Sequence, residues 1–188
     1  MLDSFIQLEN CDGLELDIRL ATSNNFTGRP LYQKANAYVH RDTATKLETA
    51  KTIAFELGLT IRILDAFRPL EVQQMLWDHT PNPNYISPPD AGQRTHCRGI
   101  AIDLTLVDNA SGQALEMGTE FDDFRELAHH NNTEIGAEAL RNRLILAGLM
   151  HTAGFCCINS EWWHYQLPDI EHYDLLSDQQ AGTQLLAE

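Results

Sequence analysis

The sequence lacks the features that mark membrane-spanning, exported or nucleic-acid-binding proteins. None of its apolar runs approaches the roughly 18–20 residues needed to cross a bilayer. The start, from Met1 to Phe5, does not join a basic segment to an apolar one, so we expect no signal peptide. The expected location is cytoplasmic, or periplasmic if a leader has been removed. With 13 Lys and Arg against 27 Asp and Glu, the formal net charge is −14. An acidic surface repels phosphate groups and anionic lipids, so neither nucleic acid nor a membrane is an expected partner.

Cysteine is also sparse. The four cysteines, at positions 11, 97, 156 and 157, are too few for a disulfide framework in a chain of 188 residues. Cys156 and Cys157 are adjacent, and a bridge between neighbours is strained. We expect reduced thiols, typical of a cytoplasmic compartment, although the even count leaves a Cys11–Cys97 bridge open.

The composition and the residue patterns predict one α+β domain, spanning residues 1–188. Hydrophobic residues make up 43% and charged residues 21%, enough apolar material for a real core. Strands are predicted where apolar and polar residues alternate or β-branched residues cluster, at 14–20, 60–65 and 99–107. The aromatic-rich segment 161–167 is predicted to be a final strand, or a strand plus a turn.

Helices are predicted over three segments, at 42–57, 69–77 and 137–151. Asp42 is expected to cap the first, and Gly58 to end it. The core-facing side of the third is predicted to consist of Leu140, Leu144, Ala147 and Met150. The stretch 80–92 holds four prolines and is predicted to be a long loop of the kind that borders active sites.

Two of the eight histidines have neighbours that indicate a metal site. A catalytic zinc takes three ligands from His, Asp or Glu and leaves a fourth position for water. His96, Asp103 and His164 would supply two nitrogens and one oxygen, with Gly99 letting the chain bend between the first two. Glu161, three residues before His164, is spaced to hold a free carboxylate beside the metal as a proton carrier. Each histidine taken alone is more often an ordinary surface or core residue.

Together these motifs resemble the zinc D-alanyl-D-alanine dipeptidases of bacterial vancomycin resistance and cell-wall turnover. The matching pieces run in family order from about residue 14 to 168, and include Asn25-Phe26-Thr27-Gly28, Asp65-Ala66-Phe67-Arg68-Pro69, His96-x6-Asp103, Met117-Gly118-Thr119-x-Phe121-Asp122 and Glu161-Trp162-Trp163-His164. The resemblance implies zinc-dependent hydrolysis of the dipeptide D-Ala-D-Ala in peptidoglycan metabolism. It also implies a small, mainly antiparallel sheet with flanking helices, a zinc cleft and one Zn²⁺ per chain.

The resemblance assigns a role to each site residue. The zinc ligands would be His96, Asp103 and His164. Glu161 would be the general base, Arg68 would stabilise the oxyanion, and Asp122 would pair with the free ammonium group of the substrate. From the residues alone, Arg68 is slightly better explained as an arginine that caps the end of a strand or helix beside Pro69, and Asp122, together with Asp123, as a residue that starts a helix. Arg94 stands where the family usually has serine, and either binds the substrate carboxylate or points to solvent.

Two alternative functions stay open at this level. The same scaffold suits a D,D- or L,D-carboxypeptidase acting on longer peptidoglycan peptides, and a metal-bound module without catalysis is a different class. The preference for D over L residues rests on the resemblance, and a homo-oligomer is neither predicted nor excluded. We further expect Cys97 to be a buried thiol rather than a ligand, and His129 and His130 to lie at a solvent-facing helix end.

Overall fold

The structure, a computed structural model, describes residues 4–186. Residues 1–3 and 187–188 lie outside the described part. They belong to the expected domain, and residues 1–3 also belong to the segment in which we expect no signal peptide. In chain order the main elements are β1 (Phe5–Leu8), β2 (Leu14–Leu16), β3 (Ala37–His40), α1 (Arg41–Glu56), β4 (Leu59–Asp65), α2 (Leu70–His79), β5 (Ala101–Asp108), α3 (Ala137–Thr152), β6 (Cys156–Cys157), β7 (His164–Gln166) and α4 (Asp178–Ala181).

Five of these strands form the main sheet, in the order β2-β4-β5-β7-β6. Strand β2 runs parallel to β4, and the other neighbours in this sheet are antiparallel. Strands β1 and β3 form a separate antiparallel pair. The predicted α+β fold with a small, mainly antiparallel sheet is therefore confirmed. Central β5 is buried from Ala101 to Val107, which accounts for the apolar residues on both faces of this strand.

Helix α1 covers the sheet with an apolar stripe that includes Leu47, Ala50 and Ala54. The predicted helix is confirmed, but the predicted cap is wrong. The cap is His40, whose Nδ1 accepts from the backbone N–H of Asp42 at 3.2 Å. Asp42 instead lies in the first turn, where its negative charge suits the positive end of the helix.

The buried face of α3 also differs from the prediction. Of the four residues expected to face the core, only Met150 is buried, and Leu144 is 65% exposed. Arg143 is buried in their place. Its guanidinium donates to three loop carbonyl oxygens, those of Met117, Leu127 and His129. These bonds satisfy the buried charge. The buried face of α3 consists of Ala139, Asn142, Arg143, Leu146, Leu149 and Met150.

Several element ends and side chains also need correction. Strand β2 ends at Leu16, and a short 3₁₀ helix, Arg19–Ala21, replaces the rest of the predicted strand. Strand β7 spans His164–Gln166 and is preceded by a turn at Trp162 and Trp163, in agreement with the interpretation of 161–167 as a strand plus a turn. The His129–His130 pair follows a 3₁₀ turn and is half buried rather than solvent-facing.

All four cysteines are free thiols, so the open Cys11–Cys97 bridge is not formed. Cys97 is buried, as expected, and the other three are exposed. Between residues 4 and 186, none of the helices has the length and apolar character that spanning a bilayer would require.

Candidate active site

Three neighbouring strands bring the charged residues of the site into one row across the sheet. In the antiparallel register, Asp103 of β5 pairs with His164 of β7 on one side and with Asp65 of β4 on the other. The register of β4 shifts between Ile63 and Asp65, an irregularity of the kind that re-aims side chains next to active sites. The row therefore arises from strand pairing between segments far apart in the chain.

His96 reaches the same point from a 3₁₀ turn, Thr95–Arg98, that precedes β5. The turn ends at Gly99, which has a φ of +70°. A Cβ atom at this position would lie 2.7 Å from ring atoms of Phe5 and 3.0 Å from the backbone nitrogen of His40. Glycine is required on both counts, since the predicted bend between His96 and Asp103 combines a left-handed conformation with a close approach.

Hydrogen bonds fix which ring nitrogen of each histidine faces the site. His96 Nδ1 lies 2.7 Å from the carbonyl oxygen of Ala66, which can only accept, so this nitrogen carries the hydrogen. His164 Nε2 donates in the same way to Gln166 Oε1 at 2.9 Å. The opposite nitrogens, Nε2 of His96 and Nδ1 of His164, are left as lone-pair donors, which is how metal-binding histidines are usually oriented.

These two nitrogens converge on the Asp103 carboxylate. The separations are 3.2 Å between the nitrogens, 3.2 Å from His96 Nε2 to Asp103 Oδ1 and 3.1 Å from His164 Nδ1 to the same oxygen. Three ligands placed tetrahedrally at about 2.0–2.1 Å from one Zn²⁺ would be about 3.3 Å apart. Three lone-pair donors this close repel one another unless a cation lies between them, so the donor set fits a single divalent metal. This trio is the His, Asp and His group that the described residues offer to a metal ion.

The electrostatics of Asp103 favour its charged form. Burial alone would raise the pKa of this carboxyl, but His96 and His164 outweigh the burial and hold it well below its usual range. By contrast, burial raises the pKa of the Cys97 thiol to about 11. Cys97 therefore stays protonated, in keeping with the expectation that this neighbour of His96 is not a ligand.

Glu161 lies beside the trio without joining it. Its Oε2 is 3.7 Å from His164 Nδ1, and its side chain keeps a 22% exposed fraction toward the cleft. Burial raises the pKa of Glu161, although His164 acts in the opposite direction. A carboxyl group with a raised pKa is suited to accept a proton and to release it again near neutral pH.

Arg68 is held on the other side of the trio by two polar side chains. Its Nε and Nη2 donate to Asp65 Oδ2 at 2.9 and 2.8 Å, and its Nη1 donates to Gln73 Oε1 at 3.2 Å. Asp65 is fully buried and also accepts from the Tyr32 hydroxyl at 3.0 Å. Nη2 lies 3.8 Å from Asp103 Oδ2, so the guanidinium fork is fixed at the edge of the metal-binding group.

Asp122 and Arg94 lie at the wall of the same cleft. Asp122 has a φ of +60° and forms no hydrogen bond or ion pair with any residue between 4 and 186, and it does not start a helix. Burial raises its pKa well above the usual range, with Asp103 adding to the effect. Arg94, with a φ of +46°, directs Nη1 to the carbonyl oxygen of Pro89 in the long loop. Its side chain therefore contacts the loop rather than extending into solvent.

The cleft that joins these residues is small. Its volume is about 130 Å³, well under the roughly 300–1,000 Å³ typical of sites for drug-sized ligands. The loop at 80–92 contributes Tyr85, Ile86 and Ser87 to its wall, which bears out the prediction that this loop borders the site. All seven residues singled out from the sequence line this cleft: Arg68, Arg94, His96, Asp103, Asp122, Glu161 and His164.

The sequence reasoning missed the residues that orient this group. Asp65 stands three positions before Arg68, a spacing that could have signalled an ion pair. Gln166 follows His164 by two residues on one strand, and residues two apart share a face, so this partner was also within reach. Gln73, whose Nε2 donates to the carbonyl oxygen of Ser87 at 2.7 Å, carried no signal in the sequence.

Two histidines and an aspartate around one point, with a free carboxylate and a fixed arginine alongside, are typical of mononuclear metal-dependent hydrolases. A family model described as D-ala-D-ala dipeptidase, in peptidase family M15, matches residues 5–181. The chain belongs to this family, and it is an enzyme of the peptidase class.

Individual relatives agree with this assignment. The chain is 42% identical over 166 residues to the D-alanyl-D-alanine dipeptidase of Escherichia coli K12, covering 88% of this chain and 85% of that one. It is 31% identical to the enzyme of the same name from Enterococcus faecalis, covering 88% and 92%. Among solved structures, the vancomycin-resistance D,D-pentapeptidase VanY in complex with Zn(II) matches at a TM-score of 0.45 and 15% identity, covering 72% of this chain and 75% of that one.

Proposed function

We propose that the protein is a zinc dipeptidase that hydrolyses the free dipeptide D-Ala-D-Ala to two molecules of D-alanine, in the metabolism of peptidoglycan. The domain would comprise residues 1–188, with the motif-bearing part at about 14–168. The observation that carries the proposal is the convergence of three ligand atoms, 3.1–3.2 Å apart, inside a cleft of about 130 Å³. The membership of the chain in the D-Ala-D-Ala dipeptidase family supplies the substrate class.

One Zn²⁺ per chain would be held by His96, Asp103 and His164. When bound, zinc supplies a Lewis acid that polarises the scissile carbonyl and makes water a stronger nucleophile. The hydrogen bonds to Ala66 and Gln166 keep both imidazole rings in the tautomer that this metal requires.

Glu161 and Arg68 would carry the chemistry that belongs to the protein itself. Glu161 takes a proton from the attacking water and passes it to the leaving amino group, so the C–N bond breaks as the amine is protonated. The raised pKa of Glu161 lets the carboxyl perform both transfers. Arg68 donates to the oxyanion that forms at the scissile carbon, and the fork fixed by Asp65 and Gln73 needs little rearrangement to do so.

Asp122 and Arg94 would recognise the two ends of the dipeptide. The Asp122 side chain lines the cleft without an ion pair to any residue between 4 and 186, and a substrate ammonium would supply a cationic partner. Arg94 reaches the cleft wall near Pro89, where its remaining donors would bind the substrate carboxylate in place of the serine usual in the family.

The test combines metal analysis with a substrate panel. The purified protein should contain zinc and should hydrolyse D-Ala-D-Ala well, with little or no turnover of L-Ala-L-Ala. Glu161→Gln should retain the zinc and lose the hydrolysis. A protein that prefers the L,L dipeptide would contradict the proposed substrate, and a fully active Glu161→Gln variant would contradict the proposed base.

The carboxypeptidase alternative predicts a different result. A carboxypeptidase would release D-alanine rapidly from a pentapeptide that ends in D-Ala-D-Ala, and Asp122→Ala would leave the turnover of D-Ala-D-Ala unchanged. The proposed dipeptidase should not release D-alanine rapidly from the pentapeptide, and Asp122→Ala should change its turnover of D-Ala-D-Ala, because Asp122 pairs only with a free amino terminus.

We also propose that the protein acts in the cytoplasm. The support is the set of free thiols at Cys11, Cys156 and Cys157, all exposed. Measuring D-alanine release in cytoplasmic and periplasmic fractions of the source cells would test this, and activity confined to the periplasm would contradict it.

A further inference from the structure

The Asn25-Phe26-Thr27-Gly28 segment has no role in the site described so far, although its structure is closely specified. Asn25 closes the loop around its own side chain. Its Oδ1 accepts from the backbone N–H of Thr27 at 2.9 Å and from the Thr27 hydroxyl at 2.7 Å. Its Nδ2 donates to three carbonyl oxygens at 2.8–3.2 Å, those of Arg19, Thr22 and Arg29. These five bonds fix the position of the next residue, Phe26.

The Phe26 ring joins an aromatic group contributed by three separate loops. It packs edge-on against Phe124, with ring centroids 5.3 Å apart and an interplanar angle of 70°. Phe124 in turn stacks on Tyr85 of the long loop at 4.8 Å and 21°. All three rings line the candidate active site. Phe26 also contacts the ring of His79, at the end of α2, at 5.8 Å.

Phe26 separates the cleft from a second cavity. This outer groove has a volume of about 330 Å³ and is lined on its far side by Arg19, Ser23, Asn24, Glu120 and Phe121. Phe26 and Asp122 line both the cleft and the outer groove, so they form the wall between them.

We infer that Phe26 limits substrate length by closing the cleft at the end where the amino terminus of the dipeptide lies. The inference rests on the proposed function, because Asp122 marks the position of the substrate ammonium. A peptide extended at its amino end would have to continue past Asp122, and there it meets the Phe26 ring. Beyond the ring, the outer groove is lined mainly by polar and charged groups, together with Phe121, and has room for a further residue. Phe26 is thus a specificity-determining residue, and Asn25 is the residue that positions it.

The experiment compares D-Ala-D-Ala with the tripeptide L-Ala-D-Ala-D-Ala in the wild-type protein and in Phe26→Ala. The ratio of kcat/KM for the tripeptide to that for the dipeptide should rise at least about tenfold in Phe26→Ala, which corresponds to about 1.4 kcal/mol in relative barrier. Phe26→Tyr preserves the ring and should keep the wild-type ratio. Phe55→Ala is the matched control, since Phe55 is 51% exposed on α1 and should leave both rates unchanged.

A second variant keeps the inference testable if Phe26→Ala does not fold. Phe124→Ala removes the ring against which Phe26 packs, and it should raise the same ratio by a smaller factor. If Phe26→Ala and Phe124→Ala both melt cooperatively, bind zinc and keep the wild-type ratio, the inference is overturned. This outcome differs from a failure of the proposed function, in which the wild-type protein itself does not hydrolyse D-Ala-D-Ala.

Discussion

Replacing Arg68 by lysine tests whether the shape of the guanidinium, and not only its charge, serves the reaction. Arg68 donates twice to Asp65, at 2.9 and 2.8 Å, and once to Gln73, at 3.2 Å. A lysine ammonium keeps the charge, but it is a point donor that cannot bridge these two partners and still face the substrate. Asp65 is fully buried, so a lysine would be drawn to this carboxylate and away from the cleft.

The magnitude follows from the loss of one donor to the transition state. Such a loss typically costs about 2.7–4 kcal/mol, so we expect kcat for D-Ala-D-Ala in Arg68→Lys to fall by roughly 10²–10³-fold. Zinc content should stay at the wild-type level, because the nearest approach of Arg68 to the ligand group is 3.8 Å, to Asp103 Oδ2. The assay measures D-alanine release under steady-state conditions, together with the metal content of each preparation.

The matched control is Arg62→Lys. Arg62 is on the same strand as Asp65 but pairs with Glu15 away from the cleft, so this change should alter kcat little. An Arg68→Lys variant that keeps kcat within a few-fold of wild type would refute the argument from the guanidinium fork. A variant that loses both zinc and activity would show that Arg68 supports the metal site rather than the transition state.

Three further predictions concern neighbouring side chains. Gln73→Leu should lower kcat and raise KM, because the change removes an acceptor from Arg68 and a donor to Ser87 of the loop; steady-state kinetics measures both, and unaltered constants would contradict the coupling. Asp122→Asn should raise KM for D-Ala-D-Ala, because the amide cannot pair with the ammonium; it should also raise the thermal midpoint of the substrate-free protein, because desolvation disfavours the charged form of Asp122 and the amide has no charge. An unchanged KM would exclude its role with the ammonium. Burial lowers the pKa of His130 to about 4, so the folded state takes up this proton less readily than the unfolded chain, and stability falls as pH drops from about 6.5 toward 4. His130→Asn should flatten this slope in urea denaturation, and an identical slope would contradict the assignment.

The sequence was most informative where chemistry and local spacing coincide. The motifs around His96, Asp103 and His164 led to three side chains that the fold does bring together, Asp103 and His164 by strand pairing and His96 from the turn before β5. The strands β2, β4, β5 and β7 and the helices α1, α2 and α3 were also predicted, because their apolar patterns reflect one buried face or two, whereas β1, β3 and β6 were not predicted. Neither kind of inference needs knowledge of distant contacts.

The features that were missed depend on contacts between distant segments. The buried face of α3 includes Arg143, whose guanidinium donates to the carbonyl oxygens of Met117, Leu127 and His129, contacts that apolar spacing cannot reveal. In the site, Gln73 connects Arg68 to a loop carbonyl 14 residues further along, a contact that only the folded chain defines. The role of Phe26 likewise depends on two cavities that meet at its ring.

The central claim is that His96, Asp103 and His164 bind one zinc ion with nitrogen and oxygen ligands only. Zinc-edge X-ray absorption of the purified protein tests this most directly. We predict a first shell of nitrogen and oxygen atoms at about 2.0–2.2 Å, including two imidazoles, with a place left for water. A sulfur ligand at about 2.3 Å, or a shell with fewer than two imidazoles, would contradict the account.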